Sequence, residues 1–346
     1  MNSMRVILVF IGFLLWFSSC QKDPKVEQPV RFYVPSNFPE PVYRFHKNPL
    51  TQEGFNLGRK LFYDPILSRD STISCGSCHQ QFVAFAHAGH SLSHGIEDRF
   101  GIRNAPGIFN AAWHKSFMWD GGVNHLEVMP TAPIGNPLEM DETMANVVRK
   151  LNRSEIYRKW FKAAFGTDLI TDRLMLLALA QFMGAMVSAN SKYDKYVRGE
   201  PGGNFSEQEK RGLELFRAKC ASCHSGELFT DYSFRNNGLD TEFNKDKGRA
   251  LITALKEDEG KFVVPSLRNV ELTAPYMHDG RFWTLEQVLE HYEKGVKISA
   301  TLDPLLVHSN GKTGISMTPD EKTQIIAFLK TLTDWEFVND KRFAEP

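Results

Sequence analysis

Cys75-Gly76-Ser77-Cys78-His79 and Cys220-Ala221-Ser222-Cys223-His224 are the two stretches on which the reading of this chain turns. In each, two thiols are spaced C-x-x-C and a histidine follows directly. A covalently held haem requires this spacing: the thiols add to the two porphyrin vinyl groups, and the adjacent imidazole is carried under the iron as its proximal ligand. Two other uses of paired cysteines compete. Two pairs could close one zinc site, but zinc pairs rarely each carry a following histidine, and the chain between these pairs far exceeds the usual loop. Thioredoxin-like redox pairs have no use for the histidines. The pattern predicts two haem c groups, one held by Cys75, Cys78 and His79, the other by Cys220, Cys223 and His224.

The rest of the composition is ordinary. Among 346 residues, 41 Lys and Arg balance 41 Asp and Glu, with 42% hydrophobic and 24% charged residues. Such a chain can bury two cores, and no basic excess points to nucleic acid. Residues 1–20 resemble a lipoprotein signal: Arg5, an apolar run from Val6 to Phe17, the small pair Ser18-Ser19, then Cys20. The run is too short for a stable membrane span. Cys20 is the expected lipidated residue, although Phe17 stands where leucine is usual; an ordinary cleaved signal with a free Cys20 is the alternative. All five cysteines are then assigned and none is left for a disulfide. Haem is attached outside the bacterial cytoplasm, so the expected location is the periplasm, with membrane contact through the lipid anchor only. Residues 21–44, polar and proline-bearing, read as a flexible tether.

The fold class expected is mainly α: two tandem c-type cytochrome-like haem domains, 45–200 and 201–346, with long irregular loops and a boundary at Pro201-Gly202-Gly203-Asn204. Apolar periodicity and caps predict helices over 50–62, 144–151, 155–165, 171–189, 206–220, 284–292 and 318–332. The methionines of 171–189 read as core. From Cys75 to Glu139 few periodic segments occur, as expected of chain wrapped around a flat cofactor. A weak repeat, Leu57-Gly58-Arg59-Lys60-Leu61-Phe62 against Arg211-Gly212-Leu213-Glu214-Leu215-Phe216, precedes the two motifs.

Further motifs follow in order: Arg103-Asn104-Ala105-Pro106, Phe117-Met118-Trp119-Asp120-Gly121, Asn136-Pro137-Leu138-Glu139-Met140, Pro265-Ser266-Leu267-Arg268-Asn269-Val270, and Thr273-Ala274-Pro275-Tyr276-Met277-His278-Asp279-Gly280. From about Leu50 to Thr333 this series resembles the bacterial di-haem cytochrome c peroxidase and MauG superfamily. The resemblance implies that the His79 haem is the peroxide site and that the His224 haem receives electrons. It places Trp119 between the haems and makes Glu139 the acid/base carboxylate beside the peroxide. His94 corresponds best to a distal histidine of the first haem, with His87 and His90 as competitors; His114 and His125 read as surface or supporting residues. A calcium ion would take Asn104 and the carbonyls of Thr273 and Pro275.

Two positions depart from the peroxidase pattern. Where a peroxide-positioning glutamine is usual stands Met129, which cannot donate a hydrogen bond. Where peroxidases carry a methionine ligand to the second haem stands Tyr292, as in MauG; Met277 and Met317 are the alternative sulfur donors. The function implied is a peroxidase reducing hydrogen peroxide with electrons from a small periplasmic cytochrome c or cupredoxin. The alternatives are a MauG-like oxidase acting on Trp or Tyr residues of a partner protein, and a non-catalytic electron carrier. The family is often dimeric, so a homodimer is possible.

Overall fold

The computed structural model describes residues 30–346, so the signal segment, Cys20 and the first part of the expected tether lie outside the described residues. The chain is mainly helical. In order run α1 (Gln52–Tyr63), α2 (Cys75–Cys78), α3 (Thr131–Gly135), α4 (Met144–Arg153), α5 (Glu155–Phe165), α6 (Asp172–Gly184) and α7 (Lys192–Arg198). Then follow α8 (Glu207–Lys219), α9 (Ala250–Thr253), α10 (Leu285–Glu290), α11 (Pro319–Lys330) and α12 (Trp335–Val338). Extended ladder among the described residues is limited to β1 (Phe234–Arg235) antiparallel to β2 (Phe262–Val263), with Phe234 opposite Val263. Among the described residues no helix is long and apolar enough to cross a membrane.

Side-chain caps explain where the helices start. The Thr51 hydroxyl accepts from the Gly54 amide and the Thr171 hydroxyl from Leu174, while Ser206–Glu209, Thr284–Gln287 and Thr318–Glu321 form reciprocal capping boxes. Asp64-Pro65 ends α1 by withdrawing the next amide donor.

Two helix crossings frame the molecule, and they are the same crossing twice. α1 packs on α6, and α8 packs on α11. A Cβ on Gly58 would lie 2.0 Å from the Ala178 carbonyl oxygen, and one on Gly212 would lie 2.0 Å from that of Gln324. Each glycine therefore lets one helix backbone rest on the other. The weak repeat seen in the sequence is this contact. Phe55, Leu61, Phe62 and Phe182 are in the core around the first crossing; Leu213, Phe216, Phe328 and Leu329 are in the core around the second.

A second repetition joins the halves. Phe117-Met118-Trp119-Asp120-Gly121 and Tyr276-Met277-His278-Asp279-Gly280 form matching turns, closed by bridges from Phe117 to Val123 and from Tyr276 to Phe282. Met118 and Met277 share a left-handed backbone, φ 67° and 74°, as do Gly121 and Gly280, φ 69° and 65°. The two turns face each other. The Asn104 amide donates to the His278 carbonyl (2.7 Å), and the Val263 amide donates to that of Trp119 (2.8 Å), an exchange with approximate two-fold symmetry.

Four features differ from the sequence reading. The helix expected over 171–189 stops at Gly184, where the Phe45 ring packs so closely that a Cβ would meet it at 2.9 Å. Beyond it, Ser188 exchanges hydrogen bonds with the Asn110 side chain (2.8 and 2.9 Å) instead of continuing the helix. The periodicity missed α7, which opens with a Ser191–Asp194 capping box. The stretch read as tether packs on the body from Val30 onward: Phe38 is buried and the Trp113 indole donates to the Pro39 carbonyl at 2.7 Å. Aromatic residues within a polar segment account for this. Finally, the last residues return to the first half, with Phe337 and Phe343 in the core of α1 and α6 and the Tyr63 hydroxyl donating to the Phe343 carbonyl at 2.7 Å.

Candidate functional site

Both cysteine–histidine motifs fold as tight turns. Cys75 and Cys78 span the single turn of α2, and the His79 amide donates to the Cys75 carbonyl at 2.9 Å. In the second half the His224 amide donates to the Cys220 carbonyl at 3.0 Å. None of the four motif cysteines is paired in a disulfide. Burial pushes the Cys75 and Cys220 thiols up to about 12, and it raises Cys78 and Cys223 as well. They are neutral thiols on apolar ground, Cys75 against the first core and Cys220 against the second. The pairs do not converge on one zinc site.

Each motif histidine is held by backbone carbonyls, Phe85 and Pro106 around His79 and Phe229 and Pro265 around His224. His79 Nδ1 lies 2.7 Å from the Phe85 carbonyl oxygen, and His224 Nδ1 lies 3.2 Å from that of Phe229. Burial lowers the pKa of both imidazoles, so both are neutral near pH 7 with Nδ1 as the donor. That leaves the Nε2 lone pair for a metal. Phe85 and Phe229 both hold a left-handed backbone, φ 59° and 53°, which aims the carbonyl at the ring. Such conformations cost a non-glycine residue about 1–3 kcal/mol and persist where the surroundings enforce them. Two thiols on one turn beside a neutral, oriented imidazole fit covalent haem at both places. Sequence reasoning missed the two phenylalanines, whose only signal is a phenylalanine shortly after each motif.

At the first motif, Glu139 is close enough for its charge to contribute to the rise in the Cys78 pKa. The Asn136-Pro137 turn carries it: the Glu139 amide donates to the Asn136 carbonyl (3.0 Å), and its carbonyl accepts from Ile96 (2.9 Å). The Ser93 hydroxyl donates to Glu139 Oε1 at 2.7 Å, fixing the carboxylate. A Cβ on Gly101 would lie 2.1 Å from the Ser93 hydroxyl, so the smallest residue stands there.

The histidine candidates form a stack. His87 and His90 lie 4.3 Å apart and nearly parallel, His90 and His94 5.4 Å apart, and His94 rests on Phe100 at 4.9 Å. The His94 ring hydrogen-bonds Asp98 at 3.2 Å, while its carbonyl accepts from the Cys78 thiol at 3.4 Å. The most deeply buried of the three is His87, whose Nδ1 has no hydrogen-bond partner. Burial and the neighbouring His90 push it down to about 4. Of the remaining histidines, His125 is exposed, and His114 packs between Phe117 and Tyr232. Met129 packs against the first core.

Trp119 lies on the seam between the halves. Its indole donates to the Asn104 carbonyl at 2.9 Å. Asn104 commits its amide nitrogen to the carbonyls of Ser91 (3.1 Å) and His90 (3.4 Å), which leaves its amide oxygen as the donor atom for a cation. Its backbone amide bonds the His278 carbonyl, three residues beyond Pro275 in the chain.

At the second motif, Tyr292 sits on a π-helical turn, His291–Gly295, that continues α10. Such turns recur at functional sites. Burial pushes its phenol up to about 12, opposed by a hydrogen bond from Asn237, with Cys223 and Cys220 close enough to add to the rise. The Asn237 amide also donates to Met277 Sδ at 3.3 Å. Tyr292 and Met277 thus share Asn237, whereas Met317 is buried in the second core.

A family model of the di-haem cytochrome c peroxidases matches residues 52–202. The chain is 35% identical to the methylamine utilization protein MauG of Methylorubrum extorquens, over 87% of this chain and 83% of that one. It is 34% identical to the cytochrome c551 peroxidase of Nitrosomonas europaea, over 80% and 79%. Among solved structures it superimposes with TM-score 0.83 on a MauG-like protein associated with microbial copper homeostasis, 34% identical, covering 91% of this chain and 99% of the other. With two haem-attachment motifs, a repeated helical frame and these relatives, the chain belongs to the di-haem cytochrome c peroxidase and MauG family of oxidoreductases.

Proposed function

We propose that this chain is an exported di-haem enzyme of the MauG-like kind, which uses hydrogen peroxide to oxidise aromatic residues of a partner protein. The observation that carries this reading is Tyr292, set beside Cys220 and Cys223 at the place where peroxidases carry methionine. A phenolate favours the higher oxidation states of iron, whereas a thioether favours electron acceptance. Met129, unable to donate a hydrogen bond, points the same way.

Cys75, Cys78 and His79 would hold one haem, Cys220, Cys223 and His224 the other. When bound, the haems supply the redox chemistry of peroxide. The protein's own contribution is positional. Glu139, held by Ser93, takes the proton from one peroxide oxygen and returns it to the departing one. Phe85 and Phe229 orient the proximal imidazoles. Trp119, bonded to Asn104 between the halves, offers an indole on the path between the two sites. A calcium ion on Asn104 and the carbonyls of Thr273 and Pro275 would tie those halves together. Cys20 would carry the lipid that keeps the enzyme at the periplasmic face of a membrane.

A donor-fed peroxidase is the second reading, favoured by Met277, whose sulfur shares Asn237 with Tyr292. Steady-state peroxide consumption with a reduced small cytochrome c tests the two. Negligible donor oxidation, with an oxidised spectrum that outlasts one equivalent of peroxide, supports the MauG-like reading. Donor oxidation at tens per second overturns it.

A further inference from the structure

We infer that Arg268, locked to Asp194, is a positioning residue for the second motif histidine and makes the two haem sites inequivalent. This rests on His224 being an iron ligand, as proposed above. Asp194 and Arg268 have 0% exposed side-chain surface and meet as a two-pronged pair, 2.8 Å on each arm. The carboxylate is otherwise saturated: Ser191 donates from its hydroxyl (2.7 Å) and its amide (2.9 Å), and the Asn37 amide donates at 2.8 Å. This leaves Arg268 Nε, which donates to the Glu227 carbonyl at 2.8 Å. The guanidinium face lies 4.4 Å from the Phe38 ring centre and 5.8 Å from that of Phe229.

The loop it grips is the one that orients His224. The Glu227 carbonyl accepts from Arg268, the Leu228 carbonyl accepts from the Ser266 hydroxyl at 2.6 Å, and the Phe229 carbonyl accepts from His224 Nδ1 at 3.2 Å. Three consecutive carbonyls are thus committed, and the side chains that hold the first two come from the same segment. Arg268 and its partner carry no net charge together, so with haem bound their effect on the second site would come chiefly through the placing of this loop.

The first half lacks this device. Asn110 and Asn269 hold equivalent left-handed positions, φ 52° and 57°, and the residue before each is Phe109 in one half and Arg268 in the other. Phe109 packs in the first core, 6.4 Å from the Phe337 ring. There the Phe85 carbonyl meets His79 Nδ1 at 2.7 Å without a guanidinium behind it. The strength of the Nδ1 bond sets how basic an imidazole ligand is, and with it the potential of the metal.

The test uses the haem-loaded protein with Arg268→Lys, with the double change Asp194→Asn plus Arg268→Met, and with His224→Ala. Haem per chain, the reduction potential of each haem and the low-spin resonance signals are measured. Arg268→Lys keeps the charge but loses the planar fork. Both Arg268 variants are expected to keep two haems and to shift the potential and resonance of the second haem while leaving the first unchanged. If the double variant does not fold, Arg268→Lys decides alone. An unchanged second haem, or equal shifts at both haems, overturns the inference. His224→Ala separates the two claims: if it alters neither haem, the ligand assignment itself fails; if it alters one while Arg268→Lys alters none, only the positioning role fails.

Discussion

Trp119 and His278 hold equivalent places in the two facing turns, and Asn104 is bonded to both, accepting from the Trp119 indole at 2.9 Å and donating to the His278 carbonyl at 2.7 Å. His278 lies flat on Phe262, ring centres 3.7 Å apart, and Arg103 lies over the Phe262 ring at 5.5 Å. His278, Phe262 and Arg103 therefore form an ordered stack of flat groups at the seam, next to the Asn104 that holds the Trp119 indole. Trp119→Phe removes one hydrogen bond and costs about 1 kcal/mol of stability. Haem content should stay at two per chain while electron exchange between the haems slows about tenfold or more, a barrier increase of about 1.4 kcal/mol. Flash or stopped-flow reduction of one haem, followed by absorbance of the other, measures it.

Glu139→Gln keeps the shape of the side chain and its contact with Ser93 but removes the base. Single-turnover reaction with peroxide should slow by about 10²–10⁴-fold, the usual contribution of a positioned acid/base. Ser93→Ala should produce a smaller loss, because it frees the carboxylate without removing it. Haem spectra of both proteins should match wild type.

Tyr292→Met exchanges an oxygen donor for a thioether at the second site. The reduction potential of that haem should rise, and oxidation of a small cytochrome c by peroxide should become faster. Redox titration of the two haems checks the first statement, steady-state kinetics the second.

Gly58→Ala and Gly212→Ala form a matched pair. Each added methyl group would meet a helix carbonyl oxygen at 2.0 Å, so each should cost at least about 1–3 kcal/mol as the crossing is forced open. Thermal unfolding of the two variants should show similar losses, since the crossings are equivalent.

Acid should weaken the fold through Asp194. Burial alone would raise its carboxyl pKa, but the Arg268 guanidinium, Ser191 and Asn37 outweigh that and hold it below the usual carboxylate range. The lowered value means that the stabilisation is complete above about pH 4, where a free aspartate titrates, and is lost as pH falls through the folded value. Asp194→Asn should cost about 3–5 kcal/mol at neutral pH, because it strands a buried cation. Its unfolding free energy, measured by urea titration, should also depend less on pH in the acid range.

Much of this was readable in the sequence because it depends on local chemistry. The Cys-x-x-Cys-His turns, the capping boxes at Ser206, Thr284 and Thr318, and the halt at Asp64-Pro65 are dictated within a few residues of themselves. Gly58 and Gly212 were visible as a repeat, although only the packed helices explain why glycine is needed. The facing turns of Trp119 and His278 escaped notice because their likeness lies in backbone angles more than in side chains. Phe85 and Phe229 act through a carbonyl, which every residue has, so nothing in their side chains announces the role. The end of α6 was misread for a similar reason: the apolar run continues past Gly184, but Asn110, distant in sequence, claims the backbone of Ser188.

The return of Phe337 and Phe343 to the core of α1 and α6 fixes an order of events during synthesis. The first haem motif emerges early, and Phe337 and Phe343, which complete its core, emerge only after the second motif. Until Phe337 and Phe343 are in place, the core against which Cys75 packs is incomplete. The second motif, whose core is drawn from residues nearer to it in sequence, closes on its own schedule. Shortening the chain before Phe337 would therefore leave the older of the two sites unfinished and spare the younger.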